Sequence, residues 1–286
     1  MSVIDALLAI AASDRPTAIA AAEAAAAADP SSLVAPALVR HLRRTGAEGV
    51  YDEPTAFERF IGGGGNPALY DRTIEAVRAV HAVAPASVLD VGCGDGRVTA
   101  AVVGPGTISV DLVEPSGELL TAARAAVAAA GPEVRWDATG IDVHLGAHPE
   151  RGWDLVQSTF ALHALEPELR SSVLAELARR SERLVVVDFD VPVTADRSVE
   201  HAAYVAERYE LGLAEYADDP EVVDGFLLPV MIGQFDPTRV RHTFEQPAAA
   251  WVAQLEAAGW SVEVEEISPY WWATACCFDA TVTRTG

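Results

Sequence analysis

Residues 85–97, Pro85-Ala86-Ser87-Val88-Leu89-Asp90-Val91-Gly92-Cys93-Gly94-Asp95-Gly96-Arg97, decide how the rest of the chain is read. Ser87 to Val91 is a short apolar run, a glycine-rich turn ends it, and Arg97 to Val103 follows with helical character. That is strand, glycine loop, helix. A dinucleotide fingerprint of the form GxGxxG fails, because counting from Gly92 the third glycine falls at Gly96 and Arg97 stands where it is required. The spacing is instead Asp-x-Gly-x-Gly-x-Gly, with Asp90 on the strand.

Outward from this loop the same alternation continues. Strands are expected at 107–113, 134–138, 153–158 and 183–191, and helices at 71–83, 117–130 and 167–180. Strands that alternate with helices predict an α/β fold with a parallel, doubly wound sheet and a ligand at the carboxyl ends of its strands. A helix at 247–258 and strands at 261–267 and 272–284 complete the pattern. Only about five residues join the last two strands, which is too short for a parallel crossover, so the final strand must run antiparallel to its neighbour.

Two stretches lie outside the alternation. Residues 1 to about 45 are Ala-rich, with helix-start signals at Asp14-Arg15-Pro16 and Asp29-Pro30-Ser31-Ser32. Two or three short helices with few large apolar side chains need a partner surface, so a packing arm, or a homodimer contact through these helices, is expected. Residues 198–217 read as a helix, and 218–246 as irregular chain carrying Pro220, Pro229 and Pro237. The organisation is therefore a helical arm (1–50), a glycine-rich lid and helix (51–84), a cofactor-binding core (85–191), a substrate-cap insertion (192–246) and the end of the core sheet (247–286).

Composition removes several classes of function. The 286 residues hold 20 basic and 42 acidic side chains, a net charge of −22, which disfavours nucleic acid and anionic membranes as partners and leaves a small molecule. There is no lysine, so neither a lysine Schiff base nor a phosphate-loop lysine can form. Mean hydropathy is +0.18, yet charges interrupt every long apolar window, and no membrane span is expected. With Asp5 and no basic stretch at the N-terminus, and three cysteines in all, a cytoplasmic, reducing location is expected. No His, Asp and Glu cluster has ligand spacing that proposes a metal.

VLDVGCGDGRVT (88–99), the acidic Glu114 some 18 residues beyond the loop, and the antiparallel last strand together resemble class I S-adenosylmethionine-dependent methyltransferases. The resemblance covers 85–191 well and 247–286 in topology. It implies a Rossmann-like seven-stranded sheet and S-adenosylmethionine as cofactor. Asp90, Gly92 and Gly94 would frame the methionine part, and Glu114, followed by Pro115, would accept the ribose hydroxyls. The adenine-contacting acid of such proteins closely follows the third strand. Asp137 reads as mid-strand, so Asp142, with Ile141 before it, is the expected counterpart. The segment QSTFALHAL (157–165) matches the region facing methionine and acceptor, placing Ser158, Thr159, Phe160 and His163 near the reaction centre. His163 is the leading base, with Tyr70 beside it among catalytic candidates and His201 as a second histidine. Arg97 is expected to be solvated or paired with a carboxylate.

Aromatic residues indicate the acceptor. Tyr51, Phe57, Phe60 and Tyr70 surround Gly62-Gly63-Gly64-Gly65 and the lone Asn66, and Tyr270, Trp271 and Trp272 lead into the last strand. Four successive glycines are expected where the backbone takes φ > 0 or approaches another group closely, either as a linker or as a lid over a ligand. Tyr51, Phe60, Phe160, His201, Tyr270 and Trp272 are accordingly the expected substrate contacts, and a flat apolar acceptor is favoured. FERFIGGGGNPALY (57–70) and PYWWA (269–273) also resemble actinobacterial natural-product methyltransferases, including the indole C-methylating type. That likeness implies transfer to indole C3 of a tryptophan-derived compound. O- or N-methylation of a phenol or amine, or a cofactor-binding partner without turnover, are the alternatives.

Overall fold

The computed structural model describes residues 1–44 and 54–283, and within them the chain forms two units. The first is Leu69–Pro192, His242–Pro269 and the chain from Thr274; the second is Met1–Ala68, Val193–Arg241 and Tyr270–Ala273.

Seven strands form the sheet of the first unit: β1 (Ser87–Val91), β2 (Ser109–Val113), β3 (Glu133–Asp137), β4 (Trp153–Thr159), β5 (Ser181–Asp190), β6 (Trp260–Ser268) and β7 (Thr274–Val282). Their spatial order is β3-β2-β1-β4-β5-β7-β6. The first five are parallel, and β7 is antiparallel to both β5 and β6, as the short 269–273 connection requires. Strand order reverses between β1 and β4, and the carboxyl ends of strands beside such a reversal bound a ligand crevice.

Central strands read as continuous apolar runs because both faces are covered. Val88, Val110, Leu112, Leu155, Val185 and Val187 pack with Val77, Val80, Val98, Leu120 and Val127 on one side. Leu89, Val91, Val113, Val156, Leu184 and Val186 pack with Leu174, Leu177, Trp251, Leu255 and Phe278 on the other. At the exposed edge, β6 shows Glu263, Glu265 and Glu266 to solvent, charges that discourage edge-to-edge pairing.

The helices are α1 (Val3–Ala11), α2 (Arg15–Ala28), α3 (Val34–Arg43), α4 (Pro54–Gly62), α5 (Asn66–His81), α6 (Arg97–Val102), α7 (Gly117–Ala129), α8 (Ile141–Ala147), α9 (Pro167–Arg180), α10 (Val199–Glu215), α11 (Pro220–Val222), α12 (Leu228–Phe235) and α13 (Ala248–Ala257). In the second unit Leu7, Val34 and Leu38 of the N-terminal helices share one core with Val205, Tyr209, Leu213, Met231 and Phe235. The partner surface that α1–α3 need is thus supplied by residues 193–241 of the same chain.

Three expectations are corrected here. Residues 218–246 are not irregular throughout: α11, a π-helical turn at Val223–Leu227 and α12 follow one another. Pro220 and Pro229 sit in first turns, where a missing N–H costs nothing, and the wide turn precedes Pro229. Tyr270–Ala273 are not the start of the last strand, which begins at Thr274. Alternation of side chains across a strand therefore does not govern Trp271 and Trp272. Finally, Asp137 is the last residue of β3, not a mid-strand residue.

Candidate active site

The glycine loop follows β1 with Gly92, Gly94 and Gly96 all at positive φ (68°, 54° and 75°). Two of them are glycines for packing reasons: a Cβ on Gly92 would lie 2.3 Å from the Ala161 Cβ, and one on Gly96 would lie 2.7 Å from the Ala123 Cα. Gly94 differs, since a Cβ there would meet nothing within 4 Å. Its left-handed backbone beside open space leaves room for close approach by a ligand. Asp95 and Arg97 form a forked ion pair in the loop, as expected for Arg97, and the Arg97 guanidinium lies 4.9 Å from the Tyr70 ring centre.

Two carboxylates flank this loop. Glu114, just past β2, accepts the Gly94 N–H (3.1 Å) on Oε2 and the Ser116 N–H (2.9 Å) on Oε1, which fixes both oxygens at the strand end. Each oxygen keeps a lone pair for a further donor. Asp90 is buried, accepts the Thr99 hydroxyl on Oδ2, and has no protein partner for Oδ1. Thr99 in turn accepts from Gln157 Nε2 (2.7 Å), and Gln157 Oε1 lies 2.8 Å from His81 Nε2. This buried relay runs through β1, α6, β4 and α5. Burial pushes the Asp90 carboxyl up to about 7 against the Thr99 hydroxyl and the nearby Gln157 amide, and Glu114 adds to the rise.

At the end of β4, Phe160 holds φ +53°, a conformation that costs a bulky residue about 1–3 kcal/mol. Its N–H bonds the Val187 carbonyl (2.8 Å), and its ring stacks on Phe189 (4.9 Å) with Tyr70 edge-on (6.0 Å). The 3-10 turn Leu162–Ala164 then carries His163, whose Nδ1 lies 2.9 Å from Oδ1 of the buried Asp188 on β5. Burial works against the charged ring, but Asp188 outweighs it and lifts the His163 pKa to about 9. Buried Arg170 braces the turn by donating to the carbonyls of Leu162 and Phe244, and the Phe244 N–H bonds the His163 carbonyl. Asp188 and Arg170 are the residues that sequence reading missed. The run RLVVVDFDV (183–191), a carboxylate inside an apolar strand, was the available signal.

The sheet unit thus gathers Asp90, Gly92, Gly94, Glu114, Thr159, Phe160, His163 and Tyr70 on its strand ends, loops and α5. Pro115 is exposed next to Glu114. Ile141 instead turns its side chain into the core with Leu89 and Trp153, and Asp142 is exposed in the first turn of α8 with Oδ1 over Gly140. Asp137, the last residue of β3, accepts from His144 and His148. Burial pushes the Tyr70 hydroxyl pKa up, which disfavours its phenolate form.

Phe60, His201, Tyr270 and Trp272 belong to the helical unit and are held there by packing. Phe60 contacts Tyr216 and Phe226, and His201 stacks on Phe235 while its Nδ1 accepts the Arg197 N–H. Tyr270 donates to Asn66 Oδ1, and Trp272 meets Tyr204 edge-on. The glycine run is explained within the same unit: a Cβ on Gly64 (φ +52°) would lie 2.7 Å from Tyr216, and Glu215 holds the Gly65 N–H. Asn66 ties the turn to Tyr216 and to the Phe60 carbonyl. Close approach was correctly expected of these glycines, but the approaching group is Tyr216, and the turn is pinned. Tyr51 lies outside the described residues.

Comparison with known proteins agrees with this geometry. Residues 88–183 match the sequence model of a methyltransferase domain. No curated protein matches the chain. Among solved structures, the magnesium protoporphyrin IX methyltransferase of Synechocystis PCC 6803 with bound SAH is 18% identical, with a TM-score of 0.52 over 80% of this chain and 93% of that one. The plantazolicin methyltransferase BpumL, in complex with a triazolic desmethylPZN analog and SAH, is 12% identical with a TM-score of 0.55 over 82% and 92%. The S-adenosylmethionine-dependent methyltransferase SibL in its apo form is 21% identical with a TM-score of 0.52, over 86% of this chain and 65% of that one. The chain therefore has the seven-stranded fold of these methyltransferases, and its residues 88–183 are similar to a methyltransferase domain. No helix among the described residues is long and apolar enough to cross a membrane.

Proposed function

We propose that this protein transfers the methyl group of S-adenosylmethionine to a small aromatic or heterocyclic acceptor. The observation that carries the reading is Glu114, held by the Gly94 and Ser116 N–H groups beside the open space at Gly94. A fixed carboxylate with free lone pairs suits a ribose diol. The unpartnered buried Asp90 Oδ1 is a second acceptor whose cost a cationic ligand would offset. The bound cofactor supplies an electrophilic methyl on a sulfonium that leaves as a neutral thioether. The protein's own work is alignment and water exclusion, which can remove several kcal/mol of barrier.

Phe160, Tyr70 and Phe189 present aromatic faces and edges at the end of β4, which suit a flat acceptor and a cationic methyl donor. Two structural relatives act, by their descriptions, on a porphyrin and on plantazolicin, and both support a heterocyclic acceptor. Within that class we propose indole C3 of a tryptophan-derived compound. Carbon there is nucleophilic without losing a proton first, and His163, with its pKa lifted to about 9, is mostly protonated at neutral pH, which suits an acceptor that needs no base in the methylation step. A C3 product from isotope-labelled methyl supports this, and label on a phenolic oxygen overturns it.

The His163–Asp188 pair also favours a second reading, O- or N-methylation, in which deprotonated His163 takes the acceptor proton. That reading requires kcat to rise about tenfold per pH unit until the pH approaches 9. A rate that is flat between pH 6.5 and 8.5 leaves carbon methylation.

A further inference from the structure

Asp137, His144 and His148 form a group that the proposed methyl transfer does not use. The sequence DATGIDVHLGAH (137–148) ends β3 on Asp137 and places the two histidines four residues apart, one helical turn, on α8 and its C-terminal cap. Both rings turn to one carboxylate oxygen: His144 Nδ1 lies 2.6 Å and His148 Nε2 lies 3.0 Å from Asp137 Oδ2. One ligand atom from each residue falls within 4.8 Å of the others. The ring centres are 4.8 Å apart and tilted by 54°, so neither nitrogen is blocked by ring stacking.

We propose that these three residues bind a divalent first-row transition ion, with zinc as the leading candidate. Two imidazoles and a carboxylate form a donor set that suits zinc, and three protein ligands leave a fourth position for water. Bonds of 2.0–2.2 Å in a tetrahedron put ligand atoms about 3.3 Å apart. The present separations of 2.6 and 3.0 Å therefore have to widen by about 0.7 and 0.3 Å to reach that geometry.

The setting favours the ion in two ways. His144 is 2% exposed and fixed by its helix, so little ordering entropy remains to be lost, while His148 and Asp137 are each about one-third exposed and open a path from solvent. Without an ion, both ring nitrogens must carry protons to reach a single oxygen.

The test is calorimetric titration of the untagged full chain with ZnCl2, followed by thermal unfolding with and without the ion. We expect one equivalent bound with a micromolar or tighter Kd, and a midpoint raised by roughly 5 °C at a hundredfold excess over Kd. His148→Ala, at a part-exposed position, should keep the fold and weaken binding by more than about tenfold. Asp137→Asn should do the same, and His242→Ala, away from the cluster, should not. No saturable uptake, or an unchanged Kd in His148→Ala, overturns the proposal.

Discussion

The most informative single residue is Asp90, because its environment opposes the charge it would need to carry. Burial raises its pKa to about 7, so in the folded protein the acid form is favoured relative to an unfolded value near 3.9. Its ionisation thus destabilises the fold increasingly as pH rises from about 4 through 7, by an amount on the order of 2–4 kcal/mol when complete. Asp90→Asn should raise the melting temperature at pH 8 but not at pH 4, while weakening S-adenosylmethionine binding at least tenfold; differential scanning calorimetry and titration read the two effects. His163 titrates in the opposite sense. Its folded pKa near 9 lies above 6.5, so the stability it gains from Asp188 is present in full below pH 6.5 and is lost as pH rises through 9. In Asp188→Asn, the NMR titration of the His163 ring should fall well below 9, because burial and Arg170 are then opposed by Glu245 alone.

At the scale of elements, the glycine loop divides into positions set by packing and one that faces open space. Gly92→Ala must push against Ala161, and a loss of several kcal/mol in denaturant unfolding is expected. Gly94→Ala costs about 1–2 kcal/mol for its left-handed backbone, and its larger effect should fall on cofactor affinity. Much of this element was legible in the sequence. Strand, loop and helix followed from hydrophobic runs and glycine spacing, and β1 and α9 were bounded correctly at both ends. What was not legible depends on contacts between distant residues. Nothing local to Gly62–Gly65 says that Tyr216 will lie against it, and nothing local to His163 says that Asp188 will lie 2.9 Å away. The last strand was expected to begin at Trp272, with Trp271 leading into it. Instead Trp271 packs on Gly212 and Tyr209 within the helical unit, and tertiary packing overrides the strand propensity of aromatics.

For the whole molecule, the chain order hides a unit assembled from three separate segments. The Ala-rich helices α1–α3 bury Leu7, Val34 and Leu38 against residues 193–241, which a linear reading divided into an arm and a cap. Removing residues 1–44 uncovers that apolar core face, so the truncated chain should bind a hydrophobic dye and aggregate, which static light scattering reads directly. The sheet unit, by contrast, was visible from its alternating elements, and its strand ends hold the residues proposed for the cofactor. The net charge of −22 fits a cationic cofactor and a small acceptor. The most direct measurement is calorimetric titration of the protein with S-adenosylmethionine, run in parallel on Glu114→Ala. Saturable one-to-one binding in the micromolar range, weakened at least tenfold by the substitution, is the predicted result. Absence of binding by the intact protein, or equal affinity in both, contradicts the account.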